Sequence, residues 1–138
     1  MKKQLLIPAT LIALFLFSSC ARKMNFQVSQ VVPAAEGTVK VKKDNNKNYE
    51  IKIELTNLAE PNRLLPSKNI YVVWMESHDN DTKNIGQINS TTGFLSSKLK
   101  ASFATVSSLK PTKIFITAED DAAIQYPGTQ VVLSTSAF

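Results

Sequence analysis

Few side chains in this sequence belong to types that support catalysis or metal binding. The only histidine, His78, lies in a segment with the sequence Ser-His-Asp-Asn-Asp at positions 77–81. A serine nucleophile would need this histidine oriented by a carboxylate in a pocket, and a zinc site would need three or four His, Cys or carboxylate ligands. Neither set surrounds His78, and the segment therefore predicts a solvated turn after a strand.

Two acidic segments, 79–81 and 119–121, contain oxygen ligands of the kind that Ca²⁺ prefers. Neither segment has the ligand count or the spacing of an EF-hand loop. They would form a joint site only if both loops lay at the same end of the fold. We expect ordinary charged turns instead, and we predict no catalytic residue, no metal and no cofactor.

The remaining reactive side chain is the single cysteine, Cys20. Two lysines open the chain at positions 2 and 3, residues 5–17 are apolar apart from one threonine, and two serines precede the cysteine. This order of charged, apolar and small residues is typical of an export signal. The apolar run is thirteen residues long, whereas a permanent membrane span needs about 20.

The residues before Cys20 resemble the lipobox of bacterial lipoproteins, with Phe17 at the position where leucine is usual. The resemblance implies that residues 1–19 are removed and that Cys20 carries a diacylglyceryl thioether. Two or three acyl chains would attach the protein to a membrane more stably than one. An ordinary cleaved signal and an uncleaved anchor are the alternatives, and all three place the remaining chain outside the cytoplasm. Ala21, in place of a retaining aspartate, favours the outer membrane, and the lack of acidic residues in Ala21-Arg22-Lys23 favours its periplasmic face.

The charge of the chain argues against a nucleic-acid partner. The 138 residues carry a formal charge of +5, which falls to +3 once Lys2 and Lys3 are removed, with 14 basic against 11 acidic residues. The positive charges are scattered along the sequence rather than clustered. Because a single cysteine allows no internal disulfide, stability must come from a packed core, and about 119 mature residues can build one.

The mature chain alternates apolar and polar residues with a period of two, which is typical of antiparallel strands with one buried face. Residues 20–24 are predicted to form the lipidated N-terminus and a short tether, and residues 25–138 a single all-β domain. The spacing of about eight strands is typical of a β-sandwich. Strands are predicted at 26–32, 38–42, 49–55, 70–75, 84–88, 99–106, 114–119 and 130–133.

The segments 38–42 and 49–55 are joined by turn-forming residues and predict a β-hairpin. Two registers match their apolar faces, with Val41 opposite either Tyr49 or Ile51. We favour the first, because the second places Lys40 opposite Lys52.

The segment 70–75 is apolar on both faces, as in a central strand that meets the core on one side and a loop or neighbour on the other. We expect Trp74 or Tyr71 to anchor the core. The pair Leu64-Leu65, which lies between two prolines, is predicted to plug an edge of the core from a loop.

Several short motifs follow one another in the second half of the chain: Tyr71-Val72-Val73-Trp74, Ile85-Gly86-Gln87-Ile88, Phe103, Ile116-Thr117-Ala118-Glu119 and Pro127-Gly128 with the apolar strand after it. In this order they resemble the extracytoplasmic domain of anti-sigma-K factors, over residues 69–134, which implies an immunoglobulin-like antiparallel β-sandwich of seven to eight strands. Regulatory members of that family hold the sigma factor with a cytoplasmic segment that precedes a transmembrane helix. The predicted lipoprotein signal takes the place of both parts here, so direct sigma-factor binding is not implied.

These features together predict a non-catalytic, lipid-anchored lipoprotein of the cell envelope. We expect Cys20 to attach it to a membrane, and its loops or an edge strand to contact another envelope protein or a glycan. The alternative is an extracytoplasmic sensing or regulatory module related to anti-sigma factors.

Overall fold

The computed structural model describes residues 20–88 and 100–138, so the predicted signal, residues 1–19, lies outside the described part. Strands dominate this part of the chain, with one short 3-10 turn at Pro61–Arg63. The strands are β1 (Arg22–Asn25), β2 (Glu36–Lys43), β3 (Tyr49–Thr56), β4 (Ile70–Ser77), β5 (Thr82–Ile88), β6 (Ala101–Ser107), β7 (Pro111–Glu119) and β8 (Val131–Ser134).

The strands form two four-stranded sheets with antiparallel pairing throughout. The first sheet has the order β1-β2-β3-β6 and the second has the order β5-β4-β7-β8. The chain crosses to the second sheet after β3, returns for β6 and crosses again for β7 and β8. The predicted all-β, immunoglobulin-like sandwich is therefore confirmed.

The core lies between the two sheets because each strand turns its alternate apolar residues inward. Ile51 and Ile53 of β3 face Ile114 and Ile116 of β7 across the sandwich as members of one buried cluster. Tyr71 is fully buried in the same cluster and donates a hydrogen bond of 2.7 Å from its hydroxyl to the Ala59 carbonyl. Tyr71 is thus one of the predicted core anchors.

Trp74 is also fully buried, but it lies on the opposite face of β4. It stacks on Phe115 with ring centroids 6.3 Å apart, and its indole Nε1 donates to Thr117 Oγ1 at 2.7 Å. Ile124, from the loop after β7, packs against this cluster. The expectation that β4 meets the core on one face and a loop on the other is confirmed.

The two ends of the sandwich carry different connections. One end, called here the Cys20 end, holds the start of β1, the turns at 44–48, 78–81 and 108–110, and the C-terminus. The opposite end, called here the far end, holds the loops 26–35, 57–69 and 120–130.

The prediction of a strand at residues 26–32 is wrong. The strand is Arg22–Asn25, which begins three residues before the predicted domain boundary at 25, with Cys20 and Ala21 between it and the predicted signal. After Phe26, whose nitrogen still bonds the Gly37 carbonyl of β2, the chain leaves the first sheet, and the Gln27 nitrogen bonds the Ser134 carbonyl of β8 at 2.9 Å. Ser29 Oγ then accepts hydrogen bonds from the backbone nitrogens of Val31 and Val32. These bonds close a turn, so the segment is not a strand.

The hairpin is confirmed, but the favoured register is wrong. Val41 lies opposite Ile51, and Lys40 therefore lies opposite Lys52. The turn explains this choice, because Asp44 Oδ1 accepts hydrogen bonds from the backbone nitrogens of Asn46 and Asn48 and closes a five-residue loop. Both registers bury the apolar residues, so the turn geometry determines the register against the repulsion of two exposed lysines.

The prediction that Leu64-Leu65 plugs an edge of the core is correct for Leu64 and wrong for Leu65. Leu64 is buried in the main core, whereas Leu65 is 95% exposed. Leu64 has extended backbone angles, and consecutive residues in an extended chain face opposite sides. The other predicted strands are present with bounds shifted by one to three residues, although residue 99 lies outside the described part.

Candidate functional site

Cys20 is exposed and lies two residues before the first strand. It borders a cleft of about 160 Å³ at the Cys20 end of the sandwich. The cleft is basic and aromatic: Arg22 lies over the Phe138 ring at 5.5 Å, and Lys43 lies over the Tyr49 ring at 5.8 Å. A modification on Cys20 would therefore sit directly against the folded domain, with Ala21 as the whole spacer.

The segment containing His78 forms an exposed turn between β4 and β5, as predicted. His78 Nδ1 lies 2.9 Å from Asp79 Oδ1, and both side chains are mostly exposed. A pair of this kind, open to solvent, lacks the enclosed pocket in which a histidine acts as a general base.

A joint calcium site formed by the two acidic segments is ruled out. Ile70 pairs with Glu119, and Ser77 pairs with Pro111, so the segment 79–81 and the segment 119–121 lie at opposite ends of the second sheet. The eight residues of β4 separate them by about 26 Å. Within residues 20–88 and 100–138, no cluster of three or more His, Cys, Asp or Glu side chains is arranged to hold a metal ion.

The far end exposes large apolar side chains, a feature that the sequence analysis missed. Four exposed residues are called here the far-end surface: Val28 (76% exposed), Leu65 (95%) and Tyr126 (82%) on the three loops, and Val131 (42%) at the start of β8. Single exposed apolar residues are normal on a protein surface, but several of them at one end of a fold are a candidate interaction site. Alternation alone does not reveal them, because three of the four lie in loops and Val131 only begins a strand.

The loop that carries Tyr126 is held in place by buried polar contacts. Glu119, only 6% exposed, accepts a hydrogen bond of 2.7 Å from the Gly128 nitrogen. A Cβ atom at Gly128 would lie 2.7 Å from Glu119 Oε2, so a larger residue here would have to displace the carboxylate. Asn84 Nδ2 of β5 donates to the carbonyls of Ala122 and Ile124, at 2.8 and 2.9 Å. The loop is thus ordered before any partner binds, which lowers the entropy cost of binding.

Hydrogen bonds connect the other two loops of the far end to neighbouring segments. Gln130 Nε2 of the 120–130 loop donates to the Pro66 carbonyl at 3.4 Å, next to Leu65. The Gln27 nitrogen donates to the Ser134 carbonyl, next to Val28. The loops are therefore fixed relative to one another. A groove of about 510 Å³ opens beside Val28, and Glu36 and Glu54 contribute to its lining.

Comparison with known proteins gives no relative for this chain: no family model matches it, no curated protein matches it, and no solved structure matches it. Within residues 20–88 and 100–138, no helix is long and apolar enough to span a membrane.

Proposed function

We propose that this protein is a non-catalytic lipoprotein of the cell envelope, attached to a membrane by acyl chains on Cys20, that binds a partner through its far-end surface. The sequence around Cys20 supports the anchor, and the exposed apolar loops support the partner. Ala21 after the cysteine supports outer-membrane sorting, and the lack of acidic residues at positions 21–23 supports the periplasmic face. The aliphatic character of Val28, Leu65 and Val131 favours an envelope protein over a glycan.

One observation carries this proposal: Cys20 and the far-end surface lie at opposite ends of a rigid sandwich. The strands between them have up to nine residues and therefore span about 25 to 30 Å. Acyl chains at one end would leave the far-end surface free of lipid. The ordered 120–130 loop would then present Tyr126, an aromatic residue of the kind enriched in binding hot spots, without a large ordering cost.

Crosslinking in living cells tests the partner. We compare the native chain with the double variant Leu65→Ser, Tyr126→Ser and with the matched control Val106→Ser, because Val106 is 59% exposed but lies outside the far-end surface. The proposal predicts a discrete crosslinked species that is lost in the double variant and kept in the control. An equal yield for all three chains, or a crosslink to glycan alone, would contradict a protein partner at this surface.

The resemblance to anti-sigma-K factors supports a second candidate function, an extracytoplasmic sensing or regulatory module without direct sigma-factor binding. The sandwich fold that this resemblance implies is the fold observed. Deletion of the gene would then change the output of an extracytoplasmic sigma factor under envelope stress. Unchanged output in the deletion strain would eliminate this candidate and leave the first proposal intact.

A further inference from the structure

Three lysines form a row on the outer face of the first sheet. Lys23 of β1 lies opposite Lys40 of β2, and Lys40 lies opposite Lys52 of β3. All three are exposed, and the strand spacing of about 4.8 Å makes the row about 10 Å wide. We call these residues the lysine row. The positive charges are scattered along the sequence, but in the first sheet they are clustered. Strand pairing brings together lysines that are far apart in the sequence.

The positive charge of the lysine row is not balanced by ion pairs within the described residues. The four ion pairs found in that part of the chain involve none of the three lysines. Three glutamates share this outer face, and none lies directly opposite a member of the lysine row: Glu36 of β2 lies opposite Thr56, and Glu50 and Glu54 of β3 lie opposite Lys42 and Thr38. The side of the face toward β1 therefore keeps an excess of positive charge, and like charges in directly opposite positions disfavour the pairing.

The lysine row lies close to the predicted lipidation site. Lys23 is three residues from Cys20, which places their Cα atoms within about 10 Å of each other. β1 starts at Arg22, so Ala21 alone separates the cysteine from the sheet. Attraction to an anionic surface is effective only within a Debye length of about 8 Å at physiological ionic strength. The short spacer therefore holds the lysine row at about this distance from the membrane surface.

We propose that the lysine row docks on anionic phospholipid head groups of the membrane that holds Cys20. This inference rests on the proposed lipid anchor. The ammonium groups match the phosphate groups in charge, and lysines at a membrane surface are individually attracted to anionic lipid. The outer face of the first sheet then contacts the membrane. The far-end surface points along the membrane plane, toward other membrane-attached proteins.

Lysine acetylation read by mass spectrometry tests this orientation. The full chain is purified from membranes and is reconstituted, by removal of detergent, into phosphatidylglycerol vesicles or into phosphatidylcholine vesicles. The rate of acetylation of each lysine is then measured in both. The proposal predicts that labelling of Lys23, Lys40 and Lys52 slows at least about fivefold in phosphatidylglycerol relative to phosphatidylcholine. Lys83, exposed on the second sheet, should react equally in both.

Charge reversal supplies a matched control. In the variant Lys40→Glu, Lys52→Glu, Lys23 should lose its protection, whereas the equally charged control Lys68→Glu, Lys83→Glu should keep it. Trp74 fluorescence verifies that both variants are folded. Equal labelling of the row in both vesicle types would overturn the proposal, as would equal protection of Lys83. Protection by soluble polyphosphate but not by phosphatidylglycerol vesicles would also overturn it, in favour of a free polyanion.

The same samples separate this inference from the anchor on which it rests, because the mass of the N-terminal peptide reports acylation of Cys20. An acylated chain with an unprotected row overturns the lysine-row proposal alone. A protected row on an unmodified chain overturns the anchor alone, and an unmodified chain with an unprotected row overturns both.

Discussion

Lys40 of β2 lies directly opposite Lys52 of β3, and Lys23 of β1 continues the same row. This arrangement follows from the turn that Asp44 closes and from the buried pair of Val41 and Ile51 on the other face. The register that pairs Val41 with Tyr49 would also keep the apolar residues inside, so the turn closed by Asp44 selects the observed pairing, and the repulsion of two exposed charges is too weak to prevent it. The fold thus keeps an unfavourable charge row that a membrane surface would neutralise.

Replacement of Lys40 by glutamate should stabilise the isolated protein. Glutamate would face two lysines in place of like charges, and we expect the free energy of unfolding to rise by about 0.5 kcal/mol in low salt. The gain should shrink in 1 M salt, where screening is strong. Urea unfolding followed by Trp74 fluorescence measures it, with Lys83→Glu as a control that should change little. A loss of stability at low salt would show that the repulsion is negligible.

Replacement of Thr117 by valine should destabilise the cluster around Trp74. The variant keeps the shape of the side chain but leaves the buried indole nitrogen without its acceptor, at a cost of about 1 to 3 kcal/mol. The same substitution in a Trp74→Phe background, which has no indole donor, should cost clearly less. Equal costs in both backgrounds, measured by thermal unfolding, would mean that the hydrogen bond adds nothing to stability.

Replacement of Gly128 by alanine should loosen the loop at 120–130. The added Cβ would displace the Glu119 carboxylate and break its hydrogen bond to the backbone, and we expect a loss of about 1 to 2 kcal/mol. Combined with Glu119→Ala, the glycine substitution should cost less, because the atoms it meets are gone. Hydrogen exchange in the loop reports the loosening directly. Unchanged exchange in Gly128→Ala would contradict a role of this contact in ordering Tyr126.

Stability should fall at high pH because of Tyr71. Burial raises the pKa of Tyr71 from 10.0 to about 12, so the folded protein holds this proton more tightly than the unfolded chain does. The contribution of Tyr71 to the free energy of unfolding is fully present below pH 10. As the pH rises toward 12, about 2 kcal/mol of it is lost. Tyr71→Phe should remove this slope, although it leaves the Ala59 carbonyl without its donor at all pH values. The difference between the two chains isolates Tyr71 from the other titrating groups, and a parallel decline of both would contradict this assignment.

The sequence predicts the fold well because alternation and burial are local signals. Residues 49–55 alternate so regularly that β3 differs from the prediction by one residue. Residues 70–75 of β4 are apolar on both faces, and both faces are in fact covered, by the main core and by Ile124. In these strands the local pattern and the tertiary packing agree.

The sequence predicts the candidate site poorly because the site depends on long-range pairing. The lysine row joins residues from positions 23, 40 and 52, and only the register brings them together. The apolar residues at 26–32 resemble a strand, but Gln27 pairs with β8 near the other end of the chain, and this pairing diverts the segment from the first sheet. The loop of Leu65 contacts the loop of Tyr126 through Pro66 and Gln130, which are 64 residues apart. No local pattern contains these contacts.

Mass spectrometry of the mature N-terminus from fractionated membranes tests the central claim, that Cys20 anchors the domain. The account predicts a chain that starts at Cys20, carries acyl groups on it and lies in the outer-membrane fraction. It also predicts that Cys20→Ala abolishes the modification and releases the domain from that fraction. An intact N-terminus that retains Lys2 and Lys3 in the inner membrane would contradict the account, because the first segment would then be an uncleaved anchor and Cys20 an unmodified residue.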